Sequence, residues 1–415
     1  MKLIARFIYR FLIIPLFVLI IHLIALFNKK IKKALSGRYQ AISILRKLPK
    51  EGKPLLMIHA SSLGEFEHVR PLIYRLGEKY RIVVTFFSPS GFEHAKKTWP
   101  DEVHVYLPFD LFSLWKKLFK ELQPKLLLIS KHDIWASQVL AAKRSGVPVF
   151  LINASLAEKS SRLNFLYRFV LQEAYQSLNG VFTISEQDAQ RFRKYFSVQN
   201  VKFIGDTKFD QVLIRKEQAL KKDLLEAHWA NDSVLVLGSI WPEDFRALQQ
   251  GLQKLLREFR QLKVIVVPHQ PSLNFVQYLS EFFRPFGLKL FTERASLADQ
   301  RVIVVDVVGV LADLYKYAAW AYVGGSFKQG IHNVMEAAVY GIPVMFGPVH
   351  ENSFEALDLL KNKGALVIKN NEDFLHFMHK LIKDRSFAEE MGRRTAKYVQ
   401  SKTGATERIL EALSV

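Results

Sequence analysis

From residue 55 onward, short apolar runs alternate with stretches whose apolar residues recur at helical spacing. Residues 55–58, 82–87, 103–106, 126–129, 147–152 and 180–184 read as strands, most of them rich in β-branched residues. Between them, 66–76, 111–122, 134–144, 163–174 and 186–195 read as helices. The pattern pauses near Gly205, a charged helical stretch follows over 211–229, and alternation restarts. Strands are then predicted over 234–237, 264–267, 302–305, 321–323, 344–346 and 365–368. Helices are predicted over 244–258, 273–283, 308–317, 332–339 and 355–363, the second of these stopped by Pro285. Such alternation predicts parallel sheets covered on both faces. Two α/β halves predict two doubly wound domains whose strand ends face a cleft, where ligands bind.

The first 36 residues stand apart from this pattern. Residues 11–27 read FLIIPLFVLIIHLIALF, apolar except for His22 and interrupted by Pro15. About twenty apolar residues span a bilayer, so the run is marginally short. It ends in Asn28 and the cluster Lys29, Lys30, Lys32 and Lys33 rather than in a cleavage site of small residues, which argues against a removed signal peptide. A run apolar all round favours a membrane span over an interfacial helix or a buried helix of the body. Positive charge on its C-terminal side favours a body facing the cytoplasm. The segment carries none of the candidate site residues below, so the body is expected to work without residues 1–28. The domain boundaries predicted are 1–36 for anchor and basic flank, 37–207 for the first domain and 208–415 for the second, with the last helices packing back on the first.

Composition narrows the partners. Lysine and arginine number 59 against 39 acidic residues, a formal charge of +20 over 415 residues. That balance favours polyanions: nucleic acid, phosphorylated substrates or anionic lipid. No zinc finger, RNP-like aromatic motif or Arg-rich tail is present, so no nucleic acid is expected and a membrane surface with anionic lipid is. The absence of cysteine excludes disulfides, thiolate catalysis and cysteine-ligated metal sites.

Two segments carry candidate chemistry. In the first half, the strand at 55–58 leads through His59, Ala60, Ser61, Ser62, Leu63 and Gly64 to Glu65 at the start of a helix. A glutamate in the first helical turn meets the positive end of the dipole, stays ionised and can act as a general base. In the second half, a strand ends in Gly324, Gly325 and Ser326, and residues 330–338 follow as loop and helix start. The glycines let backbone N–H groups approach a ligand. A helix beginning near Asn333 would offer free N–H groups to a phosphate. Glu336, on the same helix face, could accept bonds from ribose hydroxyls.

On these residues the chain resembles the Kdo transferases, the 3-deoxy-D-manno-octulosonic acid transferases of lipopolysaccharide biosynthesis. The resemblance rests on HASSLGE at 59–65, VYLPFD at 105–110, NASL at 153–156, GDTKFD at 205–210, VGGS at 323–326 and the HN..EAA element at 332–338. It covers essentially the whole chain. It implies a GT-B fold, two Rossmann-like domains with the active site between them, and an inverting transfer of Kdo from CMP-Kdo to a lipid A precursor (lipid IVA). Glu65 falls on the family's base, and Gly324, Gly325, Ser326, Asn333 and Glu336 fall on its cytidine-monophosphate side. Lys208 and Asp210 fall at its domain junction.

The chain departs from the family at two places. Lys131-His132-Asp133-Ile134-Trp135-Ala136 stands where Glu-x-Glu-(Leu/Ile)-Trp-Pro is common, and His269 replaces an arginine in Pro268-His269-Gln270-Pro271. The Kdo carboxylate needs cations or N–H donors, and Lys131, Arg70 and Lys208 are candidates. Ser61, Ser62, Gly64 and Asp133 complete the acceptor side. No metal and no cofactor are expected, because the helix start and cations can hold a single phosphate. The other readings are a GT-B enzyme using a UDP-sugar and a non-catalytic, membrane-bound nucleotide-binding protein.

Overall fold

The computed structural model describes residues 2–49, 51–226, 229, 233–293 and 300–414. The chain forms two compact α/β units. One comprises residues 1–211 with 403–415, and the other residues 212–402.

The first unit holds a seven-stranded sheet: β1 (Leu55–His59), β2 (Arg81–Phe86), β3 (Val103–Tyr106), β4 (Leu126–Ser130), β5 (Val149–Ala154), β6 (Gly180–Thr183) and β7 (Val201–Phe203). Their order is β3-β2-β1-β4-β5-β6-β7, and every pairing is parallel. Side chains alternate between faces. Leu55 and Met57 join one core with Leu127, Trp115 and Phe119, while Leu56 and Ile58 join the opposite core with Phe66, Phe86 and Leu128. The helix Ala405–Leu413 completes that second core through Ile409 and Leu410. Asp210 ties it in, accepting the Gly404 and Thr406 N–H groups at 2.6 and 2.7 Å.

The second unit repeats the plan with β8 (Val234–Ile240), β9 (Lys263–Pro268), β10 (Leu288–Leu290), β11 (Val302–Val304), β12 (Trp320–Val323), β13 (Val344–Phe346) and β14 (Ala365–Val367). Their order is β10-β11-β9-β8-β12-β13-β14, again all parallel. Both units are doubly wound and Rossmann-like, the GT-B class of architecture.

Several elements differ from expectation. β7 and β10 are three-residue edge strands too short to show a period. The stretch expected to be helical over 211–229 is helical as Lys208–Leu220, and residues 227 and 228 lie outside the described residues. The helices expected over 308–317 and 332–339 shrink to Leu311–Leu314 and Met335–Ala338.

The N-terminal segment is one helix, Lys2–Phe27, long and apolar enough to cross a membrane. One of its faces belongs to the first unit's core. Ala5, Tyr9, Ile14 and Ala25 are buried, and Tyr9 and Ile14 join the core of the sheet. The step of five from Tyr9 to Ile14 coincides with a π-turn over Tyr9–Ile13. The extra residue per turn keeps both side chains on the body, just ahead of Pro15, which has no N–H for the helical ladder. Tyr9 Oη donates to Asp110 Oδ2 at 2.7 Å. Asp110 also accepts the Ser137 and Gln138 N–H groups, both at 2.8 Å. The expectation of a body complete without residues 1–28 is therefore corrected: those residues supply part of its core. Tyr9→Phe should destabilise the detergent-solubilised protein by about 1–3 kcal/mol, because a buried carboxylate loses a donor. An unchanged denaturation midpoint would show that the helix is not docked this way.

Candidate functional site

In a doubly wound sheet, the crevice that takes ligands opens where the strand order reverses. In the first unit this point lies between β1 and β4. Ser62 caps the helix Leu63–Leu76 with extended backbone, its Oγ accepting the Glu65 N–H at 3.4 Å. The Glu65 carboxylate turns back to accept the Ser61 N–H at 2.7 Å. This is a capping-box arrangement in which the glutamate reaches one residue further back than usual. It leaves Glu65 5% exposed. A Cβ placed on the exposed Gly64 would meet nothing within 4 Å, so the space at that glycine is open.

Across the switch point, β4 delivers Asp133. His59, fully buried, bridges to it: its Nε2–H donates to Asp133 Oδ2 at 2.8 Å, and Nδ1 lies 2.9 Å from Thr85 Oγ1. Burial alone would raise the Asp133 carboxyl, but the bonds from His59 outweigh it and hold the carboxyl low. His132 is pushed down to about 4 by burial and the nearby Arg162 charge. Lys131 sits at φ 58°, the left-handed region that non-glycine residues seldom occupy, and its N–H donates to Ile152 O at 2.8 Å. Ser61, Ser62, Gly64, Glu65, Lys131 and Asp133 thus gather at the ends of two adjacent strands. Arg70 does not serve as expected: Glu102 neutralises its guanidinium, which also stacks on Trp99 at 4.3 Å.

The second unit reverses between β8 and β12. Buried Asp244 organises this point. It accepts the Trp241 and Gly325 N–H groups, both at 2.8 Å, and the Tyr322 hydroxyl at 3.0 Å. A Cβ on Gly324 would collide with the Ser239 carbonyl, and Gly325 has φ +91°. These glycines let two strand-end loops touch. Ser326 is fully buried, its Oγ accepting the Gly347 N–H at 2.6 Å. Its hydroxyl holds the next strand end rather than facing solvent.

Beside the glycines stand three stacked rings. Trp241 lies 4.8 Å from His269, and His269 lies 4.3 Å from His332. Trp241 Nε1–H donates to His332 Nε2 at 2.9 Å, which leaves the proton of neutral His332 on Nδ1. Burial lowers both imidazoles, His332 to about 4. The expected helix at Asn333 begins only at Met335 and lasts four residues, so it brings little dipole. Asn333 Oδ1 instead accepts the Met335 N–H at 3.1 Å. Glu336 accepts from Asn333 Nδ2 at 3.3 Å and from Arg215 at 2.9 Å. Trp241, Asp244 and Arg215 were not singled out from sequence, and His332 entered only within the HN..EAA element, although Trp241-Pro242-Glu243-Asp244, directly after a strand, carries a helix-start signal.

Lys208 belongs to the first unit, apart from the other donor-side candidates, all in the second. It lies 3.8 Å from Asp206, which also pairs with His68 at 3.3 Å. Burial would raise Asp206, but the His68 bond and charge, with Lys208, hold it at about 2. A carboxyl depressed in the folded state stabilises above its unfolded value, near 3.9, and loses that contribution as pH falls towards about 2. Asp206→Asn should therefore cost roughly 2.5 kcal/mol at pH 7, shrinking towards zero by about pH 2. Urea titrations across that range check it, and a pH-independent deficit would refute the coupling.

A family model described as 3-deoxy-D-manno-octulosonic-acid transferase (kdotransferase) matches residues 33–211. The 3-deoxy-D-manno-octulosonic acid transferase of Chlamydophila psittaci is 31% identical over 75% of this chain and 73% of its own. That of Rickettsia felis is 28% identical over 79% of this chain and 72% of its own. Among solved structures, a UDP-GlcNAc 2-epimerase from Neisseria meningitidis aligns with TM-score 0.62 at 14% identity, covering 87% of this chain and 99% of that one; at that identity it shows the fold alone. With this identity and coverage, the chain belongs to the 3-deoxy-D-manno-octulosonic acid transferase family and is a glycosyltransferase.

Proposed function

We propose that this Kdo transferase takes its sugar from CMP-Kdo and passes it to a lipid A precursor, lipid IVA, with inversion at the anomeric carbon. The observation that carries the reading is Glu65: a nearly buried carboxylate at a strand end, fixed through one oxygen by Ser61, next to the open position of Gly64. In the proposed step Glu65 takes the proton of the acceptor hydroxyl. The hydroxyl oxygen bonds to the anomeric carbon as the bond to the CMP phosphate breaks, and CMP leaves. Asp133, oriented by His59, and Lys131 flank the same strand ends and would position acceptor hydroxyls and the Kdo carboxylate. Ser61 and Ser62 shape the loop.

In the second unit, the backbone at Gly324 and Gly325 would meet the nucleotide, with Ser326 fixing their loop. His269 offers its ring to the phosphate side, and Glu336 with Asn333 the ribose side. Lys208 would contribute charge to the donor. No cofactor enters this scheme. We place the body at the cytoplasmic face of the inner membrane, in keeping with the lysines that follow the apolar helix and the anionic lipid of that leaflet.

Glu65→Gln should lower Kdo transfer by at least about 10²-fold, while CMP binding and the melting curve stay as they were. Activity within about tenfold of the parent would remove Glu65 from the role. Glu336→Ala should weaken CMP binding, read by calorimetry, by at least about tenfold, the loss expected for a charge-assisted bond. Unchanged affinity would place the ribose elsewhere.

A further inference from the structure

The helix Lys2–Phe27 passes for a membrane span by length and composition, yet its contacts are those of a helix lying along the body. Arg6 donates from Nε to Glu173 Oε2 at 2.6 Å. Tyr9 Oη binds Asp110 and accepts the Ala136 N–H at 3.3 Å. Arg10 lies over the Phe112 ring at 3.9 Å. Phe17 packs on Phe87 and Trp135 at 6.1 and 5.6 Å. His22 reaches the Tyr39 hydroxyl at 3.1 Å and stacks on Phe109. From Arg6 to His22 this is roughly 24 Å of helix, at about 1.5 Å per residue. A spanning helix would need almost that whole length within a hydrocarbon core about 30 Å thick. The carboxylates of Asp110 and Glu173 cannot follow it there. Docking and crossing exclude each other.

The opposite face is bare and apolar, with Phe7, Phe11, Leu16, Leu19, Leu23 and Phe27 all exposed. Arg6, Tyr9, Arg10 and His22 are turned to the body, and Lys2 at the helix start is exposed. Past Phe27 the helix is interrupted at Asn28 and the helix Lys29–Arg46 starts, whose Lys29, Lys30, Lys32 and Lys33 are exposed, Lys33 also pairing with Glu93 at 2.9 Å. An apolar strip with cations at its end complements one leaflet of an anionic phospholipid bilayer: acyl chains for the strip, phosphates for the lysines.

We propose that Lys2–Phe27 engages the membrane side-on, in the plane of a single leaflet, while remaining docked on the first unit. The docking also fixes where the first switch point stands over the lipid. Tyr9 holds Asp110, and Asp110 holds the first N–H groups of the helix Ala136–Arg144, directly after Lys131–Trp135.

The chain contains no cysteine, so single cysteines can be placed without background. Leu3→Cys, Phe7→Cys, Leu12→Cys, Leu16→Cys, Leu23→Cys and Leu26→Cys all fall on exposed positions. Each full-length variant is spin-labelled and reconstituted in vesicles of phosphatidylcholine and phosphatidylglycerol. Oxygen and nickel-chelate accessibility then give depth. The side-on arrangement predicts that all six labels lie at one shallow depth, about 5–10 Å below the phosphates. A profile deepest near Leu12 and Leu16, with Leu3 at the far leaflet, would overturn it. So would labels outside lipid that couple magnetically between molecules, since the strip would then be covered by a second copy. Lys30→Gln with Lys32→Gln supplies a second reading. Binding to phosphatidylglycerol vesicles should fall roughly fivefold per lysine, with no change for neutral vesicles. Equal loss on both would overturn the charged half of the proposal.

Discussion

A carboxylate taken out of water must find hydrogen bonds inside, and in this protein that requirement ties the loops to the sheets. Asp110 gathers the Tyr9 hydroxyl and two N–H groups at the start of Ala136–Arg144. Asp188 accepts the Leu156 N–H, Asp210 takes the N–H groups of Gly404 and Thr406, and Asp244 those of Trp241 and Gly325. The sheets themselves need no such help, because their central strands are apolar on both faces and their backbones pair with one another. The ends of the strands are different: loops leave there with N–H groups that no ladder satisfies, and a buried donor without a partner costs about 1–3 kcal/mol. Removing Asp110 or Asp244 would strand donors from two distant segments together, and removing Asp210 would release the start of the last helix.

The two switch points use this device differently. In the second unit Asp244 is wholly internal and holds a rigid frame, against which the Trp241, His269 and His332 rings stack. In the first unit Glu65 is fastened through only one oxygen, and Asp133 is fastened by His59. A carboxylate bound on one side is oriented without being exhausted, which is what a base requires. Lys131, strained at φ 58°, is held at this same edge. Backbone in a sparsely populated region persists where its surroundings over-determine it, and such places are often functional.

The N-terminal helix answers to two solvents at once. Its docked face is fixed by an ion pair, a tyrosine hydroxyl and ring contacts to the body, and its outer face presents apolar side chains such as the paired Phe7 and Phe11 rings. A π-turn of one extra residue keeps the docked side chains in phase across Pro15. Without it, Tyr9 and Ile14 could not both face the core.

The sequence by itself determined the architecture, because parallel strands covered on both faces must be written as continuous apolar runs between amphipathic helices. It also carried the motif at 59–65, since a capped helix start after a strand is local chemistry. It misjudged the regular character of 332–339, where Gly330 at φ +96° and the Asn333 side chain favour a turn over a helix. Only the tertiary structure decided which cations were already spoken for: Arg70 looks available until Glu102, 32 residues away, is seen beside it. The Trp241–His269–His332 stack was equally hidden, because its members come from three separate loops. Above all, the run at 11–27 is as apolar as a membrane span, and composition alone cannot say which face meets protein. That depended on Asp110 and Glu173, more than 100 residues downstream, whose charges take hold of Tyr9 and Arg6 only once the sheet has folded.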